Sequence, residues 1–518
     1  MTKNRFFRLL SPCLFSFCGV SSAWAQFPTL INDQLIRTHA VASFPEYLEL
    51  LALPNDAIAS ARDIQINADH LEKLFQKRGF NTRQFSNKGR PLVLADYPAV
   101  NGLKTILFYI HFDGQPVIAS QWAQPSPWQA VVKKKDSSGK WQIVDMKELL
   151  QQDFDPELRV FARAAADDKG PIMMFLAAID LLRARGIAPA VNIKVILDSE
   201  EEINSPGMSE AVSQNKDFLR ADALVIHDMA THPSGKPTII FGNRGVQTMS
   251  LTVYGAKAPL HSGHYGNFIP NPAFNLVRLL ASMKNDQGRV TIPGYYSSTK
   301  LNTEDLRVLD AVGDDEAALK KRVGVQNSDQ VASNYQRSLQ YPSLNIRGLA
   351  SANVGNEAAN IIPKEAVAEI DIRTTTEANA AYLSGLIKKH IQKQGFHIID
   401  HAPTEAERQQ YSKLVQVKEG LPAEAARQPL DTKIRYWAER AQVNAFSEGS
   451  KRIQPIMIRA AGGTVPTHEI VSPLGLPFVI IPTANADNNQ HAYDENLRMG
   501  NYLTGMRSMI GLLTTPYQ

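Results

Sequence analysis

Apolar and polar residues alternate along the chain in two different rhythms. Residues 104–112 (KTILFYIHF) form a short apolar run ending in polar side chains, which predicts a buried strand. Residues 170–186 carry Ile172, Phe175, Leu176, Ile179 and Leu182 on one helical face, with Pro171 suited to the first turn and Gly186 ending the helix. Residues 191–197 and 221–226 predict two further buried strands, and residues 477–481 (PFVII) a short third. A C-terminal helix is expected over about residues 495–513. Strands alternating with helices predict an α/β fold, a mostly parallel sheet with helices on both faces.

The middle of the chain has the other rhythm. Residues 247–254 and 366–373 alternate apolar and polar positions, as half-buried strands of an antiparallel sheet do. Helices at about 272–283 and 377–393 could cover one face of that sheet. The simplest organisation has a catalytic domain in two pieces, 26–245 and 459–518. An α+β lid or dimerisation domain, 246–458, is inserted between them. The stretch 133–140 (KKKDSSGK) reads as a solvated loop.

The N-terminus changes the picture of charge and redox chemistry. Lys3, Arg5 and Arg8 precede an apolar core over residues 9–20, and Ala23 and Ala25 stand three and one residues before a cut ahead of Gln26. Residues 1–25 therefore predict an export signal, too short in its apolar core to be a membrane anchor. Of the 55 Lys and Arg residues three lie in this leader, which leaves 52 against 51 acids and a net charge of +1. Such a balance points to neither nucleic acid nor a membrane surface. No later segment is long and apolar enough to span a bilayer. Cys13 and Cys18 also lie in the leader, so the mature chain has no thiol chemistry and no disulfide. Its destination is the periplasm or the exterior.

Polar candidates gather at the predicted strand ends. His111 and Asp113 end the first strand, Glu200, Glu201 and Glu202 follow another, and Asp228 follows a third. Asp167 and Asp168 precede the helix that begins near Gly170. Ligands of open α/β sheets collect beyond the carboxyl ends of parallel strands, so these groups can converge. Crowded carboxylates need cations. Oxygen and imidazole without thiolate suit zinc, with manganese as a substitute. Two ions about 3.5–4 Å apart, bridged by a carboxylate and a water, would use the whole set.

In these residues the chain resembles the dinuclear zinc metallopeptidases that include carnosine dipeptidase, glutamate carboxypeptidase and acetylornithine deacetylase. The matching segments are 110–117 (IHFDGQPV), 163–171 (RAAADDKGP), 199–207 (SEEEINSPG), His227-Asp228 and 488–497 (NNQHAYDENL). Segments 260–267 (LHSGHYGN) and 360–373 (NIIPKEAVAEIDIR) match the family's inserted domain. The resemblance implies two divalent ions held by His111, Glu202, Asp228 and His491, with Asp167 bridging them. It implies that Asp113 orients His111 and that Glu201 is the general base acting on the bridging water. It implies a cis peptide bond between Asp167 and Asp168. It also implies that His261 acts from the partner of a homodimer, and that Asn360 and Arg373 grip the substrate's C-terminal carboxylate.

The activity so implied is exopeptidase cleavage of small peptides. Departures from the family pattern bear on the substrate. Ala162-Arg163-Ala164 replaces a common Gly-Arg-Gly, and residues 134–160 are longer than the usual hairpin, as an extra flap would be. Dipeptidase relatives have a glutamate before their paired glycines, where this chain has Ala461. That loss favours a carboxypeptidase or, as the alternative, an N-acyl amino acid amidohydrolase. A third reading is a catalytically inactive binding protein on the same scaffold. His227 and His232 flank Asp228 but match no ligand position, and His264 and His468 read as local hydrogen-bonding residues.

Overall fold

The computed structural model describes residues 31–87, 89–448 and 451–518. The expected export signal lies outside the described residues.

One eight-stranded sheet organises the catalytic part. Its order is Asn81–Asn87, Arg90–Asp96, Asn192–Asp198, Thr105–His111, Ala223–Ile226, Phe478–Ile480, Thr238–Ile240 and Ile456–Ile458. The four central strands, from Asn192–Asp198 to Phe478–Ile480, are mutually parallel, so their carboxyl ends share one edge. Antiparallel pairs flank them.

Strand Thr105–His111 shows why the sheet is two-sided. Ile106, Phe108 and Ile110 enter one apolar core, while Leu107 and Tyr109 enter the other. That alternation follows from the period of two along a strand. Helices Asp33–Leu51, Lys169–Ala184 and Met499–Thr514 pack together on the first face. Helices Met208–Gln214 and Thr467–Leu474 pack on the second. Gly170, in the first turn of Lys169–Ala184, lies where an added Cβ would stand 2.4 Å from the Ala165 carbonyl oxygen. Only glycine lets this helix start so close to the loop before it.

The insert is a five-stranded sheet in the order Ser343–Ala350, Glu365–Thr374, Gly245–Tyr254, Leu414–Glu419 and His397–Ile399. Strands Gly245–Tyr254 and Glu365–Thr374 alternate buried and half-buried positions along their whole length. Their inner side chains, among them Met249, Leu251, Ile370 and Ile372, form a separate core with helices Pro272–Ala281 and Ala380–Lys393.

Two expectations are corrected. Residues 246–458 were expected to belong wholly to the insert, yet helix Lys433–Phe446 packs on Met499–Thr514, and its Ile434, Trp437 and Ala438 join the catalytic core. Its apolar face is complementary to the C-terminal helix, not to the second sheet. The stretch 133–140 is not a free loop. Strands Val131–Lys135 and Trp141–Val144 form a hairpin in a four-stranded sheet with Arg159–Phe161 and Asn496–Arg498. The lysine stems supply apolar surface there: Lys133 Nζ lies 4.3 Å from the Phe161 ring centre and Lys135 Nζ 4.8 Å from that of Trp141.

Candidate metal centre

The shared edge of the four parallel strands places the chemistry. His111 is the last residue of its strand, Asp228 lies two residues beyond Ala223–Ile226, and the turn Glu201–Ile203 follows Asn192–Asp198. Two sets of ligand atoms result, His111, Asp167 and Asp228, and Asp167, Glu202 and His491, each set within 4.8 Å. Asp167 belongs to both. Its Oδ1 is 2.9 Å from His111 Nε2, and its Oδ2 is 3.2 Å from His491 Nε2. His491 Nε2 is also 3.3 Å from Glu202 Oε2, and His111 Nε2 is 3.9 Å from Asp228 Oδ2.

Asp113 holds this arrangement from behind. It is fully buried, with Oδ1 3.3 Å from His111 Nδ1. The same carboxylate accepts the backbone N–H groups of Glu201 (3.1 Å) and Glu202 (3.0 Å). One side chain thus fixes both the imidazole and the turn that presents the two glutamates. Gln115 donates to Glu202 Oε2 at 2.8 Å, and Gln490 donates to Asp167 Oδ2 at 3.2 Å.

The electrostatics are those of a site built for cations. Burial pushes Glu202 up to about 8, with Asp167 adding to it, and pushes Asp228 up to about 6. Burial, reinforced by Asp228, likewise raises Glu201 well above the carboxylate range. Hydrogen bonding to Asp167 raises His491 to about 9. Among the described residues, Asp228 Oδ2 is buried with no hydrogen-bond partner. An orphaned buried carboxylate oxygen is costly unless something positive meets it. Two imidazoles and three carboxylates, with no thiolate, are suitable donors for a pair of divalent ions.

The peptide bond Asp167-Asp168 is cis. Just before it, Ala164 has φ 61°, a left-handed conformation that glycine adopts more readily. Its support is Glu495, a residue the sequence reading did not single out. The buried Glu495 carboxylate accepts from Arg163 Nη1 (2.8 Å), Ala164 N (2.9 Å), Ala166 N (2.9 Å) and Asp167 N (3.0 Å). These four bonds fix the loop that carries the shared ligand. Buried Lys169 is a second missed residue; its Nζ donates to the carbonyls of Leu50 and Leu53. Nothing in the local sequence distinguishes either from a surface charge.

The remaining candidates lie apart. His261 pairs with Ile361 on a two-stranded ladder of the insert, and both it and Asn360 are exposed. Ser262 N donates to the Asn360 carbonyl at 3.0 Å, so these two positions are neighbours. Arg373 is elsewhere, near the end of strand Glu365–Thr374, and its Nη1 donates to Thr464 at 2.9 Å. Asn360 and Arg373 therefore do not form a pair within one chain. Arg244 flanks the same loop and donates to the Gly462 carbonyl at 3.3 Å. His227 stacks on Phe108, and burial lowers it to about 4.

Comparison with known proteins agrees with this geometry. The model of the peptidase dimerisation domain matches residues 241–398. The Cys-Gly metallodipeptidase of Schizosaccharomyces pombe is 25% identical over 492 residues, covering 92% of this chain and 94% of that protein. Human Beta-Ala-His dipeptidase is 26% identical over 424 residues, covering 80% and 76%. The solved M20 family metallo-carboxypeptidase from Sulfolobus solfataricus superposes with a TM-score of 0.73 at 24% identity, over 91% of this chain and 98% of that one. Fold, ligand set and kinship define a metallopeptidase. More specifically, the chain has the fold of the M20 family metallopeptidases and resembles metallodipeptidases over most of its length, and residues 241–398 match the peptidase dimerisation domain.

Proposed function

We propose that the protein is an exported dinuclear exopeptidase that hydrolyses the amide bond of small peptides with a free C-terminal carboxylate. The observation that carries this reading is the carboxylate of Asp167, shared by two ligand sets. His111 and Asp228 would hold one ion, Glu202 and His491 the other, and Asp167 both. Zinc fits the donors, and manganese could replace it. Bound ions of this kind acidify water and polarise a carbonyl.

The chain's own groups do the rest. Glu201 stands beside Glu202 but in neither ligand set, and its backbone is anchored on Asp113. It is placed to take a proton from the attacking water and to return it to the leaving nitrogen. Arg373 has the planar fork suited to a carboxylate. His261 Nδ1 accepts from Gly263 N at 3.1 Å, which leaves Nε2 as the outward donor. An exposed donor of this kind can reach a carbonyl in a second copy, so the working unit is a homodimer. Residues 1–25 direct export to the periplasm or beyond.

Ala461 favours a second reading, hydrolysis of N-acyl amino acids, because no glutamate stands there to meet a free amine. A panel of dipeptides, N-acyl amino acids and C-terminally amidated dipeptides distinguishes these. Rapid cleavage of dipeptides and none of the amides is expected. Cleavage of N-acyl amino acids alone would move the protein to the deacylases, and cleavage of amides would remove the carboxylate requirement. The mature protein should begin at Gln26 by mass; retention of the leader would contradict export.

A further inference from the structure

A cavity of about 630 Å³ opens beside the metal centre, between catalytic-domain loops and the insert. Met229, next to Asp228, and Gln490, which donates to Asp167, line one wall. Asp314 and Gln336 line the wall that the insert contributes. Ala461 lines it too, and its methyl group can accept no hydrogen bond. The size suits a small-molecule site.

The insert's wall offers acceptors. His232 is buried, and its Nδ1 accepts from Ser234 N at 3.2 Å, so the ring proton sits on Nε2, 3.3 Å from Asp314 Oδ1. Burial pushes the Asp314 carboxyl up, but the neighbouring His232 and Gln336 side chains outweigh it and hold the group below its ordinary range. Gln336 lies against Asp314, and its Oε1 is buried with no hydrogen-bond partner among the described residues. An unmet buried acceptor beside a carboxylate calls for a donor. Asp315 is already used, capping helix Glu316–Val323 through Ala318 N. Arg322 lines the cavity but is exposed, where solvent screens it.

We propose that this cavity receives the acyl-side residue of the substrate, and that Asp314 and Gln336 Oε1 bind an ammonium group on that residue. This rests on the peptidase reading and names its substrate class: peptides with a free amine, recognised from the insert and not from position 461.

The test compares Ala-Leu with N-acetyl-Ala-Leu, which share one scissile bond. In metal-loaded protein, Asp314→Asn should lower kcat/KM for Ala-Leu about 10- to 100-fold. The acetylated peptide should change by less than about twofold, since it lacks the charge that the site reads. Gln336→Leu should show the same selectivity at about 10-fold. Calorimetric titration of both peptides into Glu201→Gln protein, with and without Asp314→Asn, reads binding without turnover. If the wild type binds but cleaves neither peptide, the peptidase reading fails while the binding ratio still decides the ammonium site. Equal effects of Asp314→Asn on both peptides, or tighter binding of the acetylated one by the unsubstituted site, would overturn the proposal.

Discussion

His111 and His261 each end a strand, yet they meet opposite surroundings. His111 is fully buried, with Asp113 behind its Nδ1 and Asp167 before its Nε2. His261 is exposed on a short ladder, bound to its own turn through Gly263 N, with its ring centre 4.5 Å from that of His264. The first site is closed by side chains of one chain; the second presents a donor that no described residue of its own chain uses. A binding site for ions is best preorganised within a fold, because burial makes each charge depend on fixed partners. A group exposed on an edge ladder is suited to a contact between copies.

The comparison breaks first at Glu201. Glu201→Gln keeps size and loses the base, so turnover should fall by about 10²–10⁴ with metal content unchanged. Loss of metal together with activity would make Glu201 a ligand. His261→Ala should also cut turnover strongly with metal retained. Mixing it with Glu201→Gln sharpens the contrast: heterodimers would hold one site with both residues intact, and activity should partly return. No recovery despite demonstrated subunit exchange would leave His261 acting within its own chain.

Smaller effects test the scaffold of the buried site. Glu495→Gln breaks a buried network around the Asp167 loop and should cost about 3 kcal/mol, read as a lowered denaturation midpoint. An unchanged midpoint would mean that the loop holds itself. Ala164→Gly relieves a positive φ and should be neutral or stabilise by up to about 1 kcal/mol. A marked destabilisation would show that the Ala164 methyl packs usefully in the core.

The same contrast explains what could be read from sequence. His111, Glu202 and Asp228 were legible because each follows an apolar run whose end marks the sheet's edge. The pairing of Glu495 with the Asp167 loop was not, because the partners stand 328 positions apart and neither has a local signature. Helix Lys433–Phe446 misled for a related reason. Periodicity reveals that a helix has an apolar face, not which of two cores receives it. Asp314 and Gln336 were invisible singly, since an aspartate in a turn and a glutamine in a short helix are ordinary. Ala164 was identified as a departure from glycine, but only the backbone angle shows that the position is left-handed.

The metal centre depends on Asp167 serving two ligand sets at once. The most direct test is metal content per chain of the mature protein and of Asp167→Ala, measured by plasma mass spectrometry after equilibration with zinc. The wild type should hold about two ions, and Asp167→Ala should lose both, because the bridge belongs to each set. One ion in the wild type, or one retained by Asp167→Ala, would contradict a shared carboxylate and separate the two sets into independent sites.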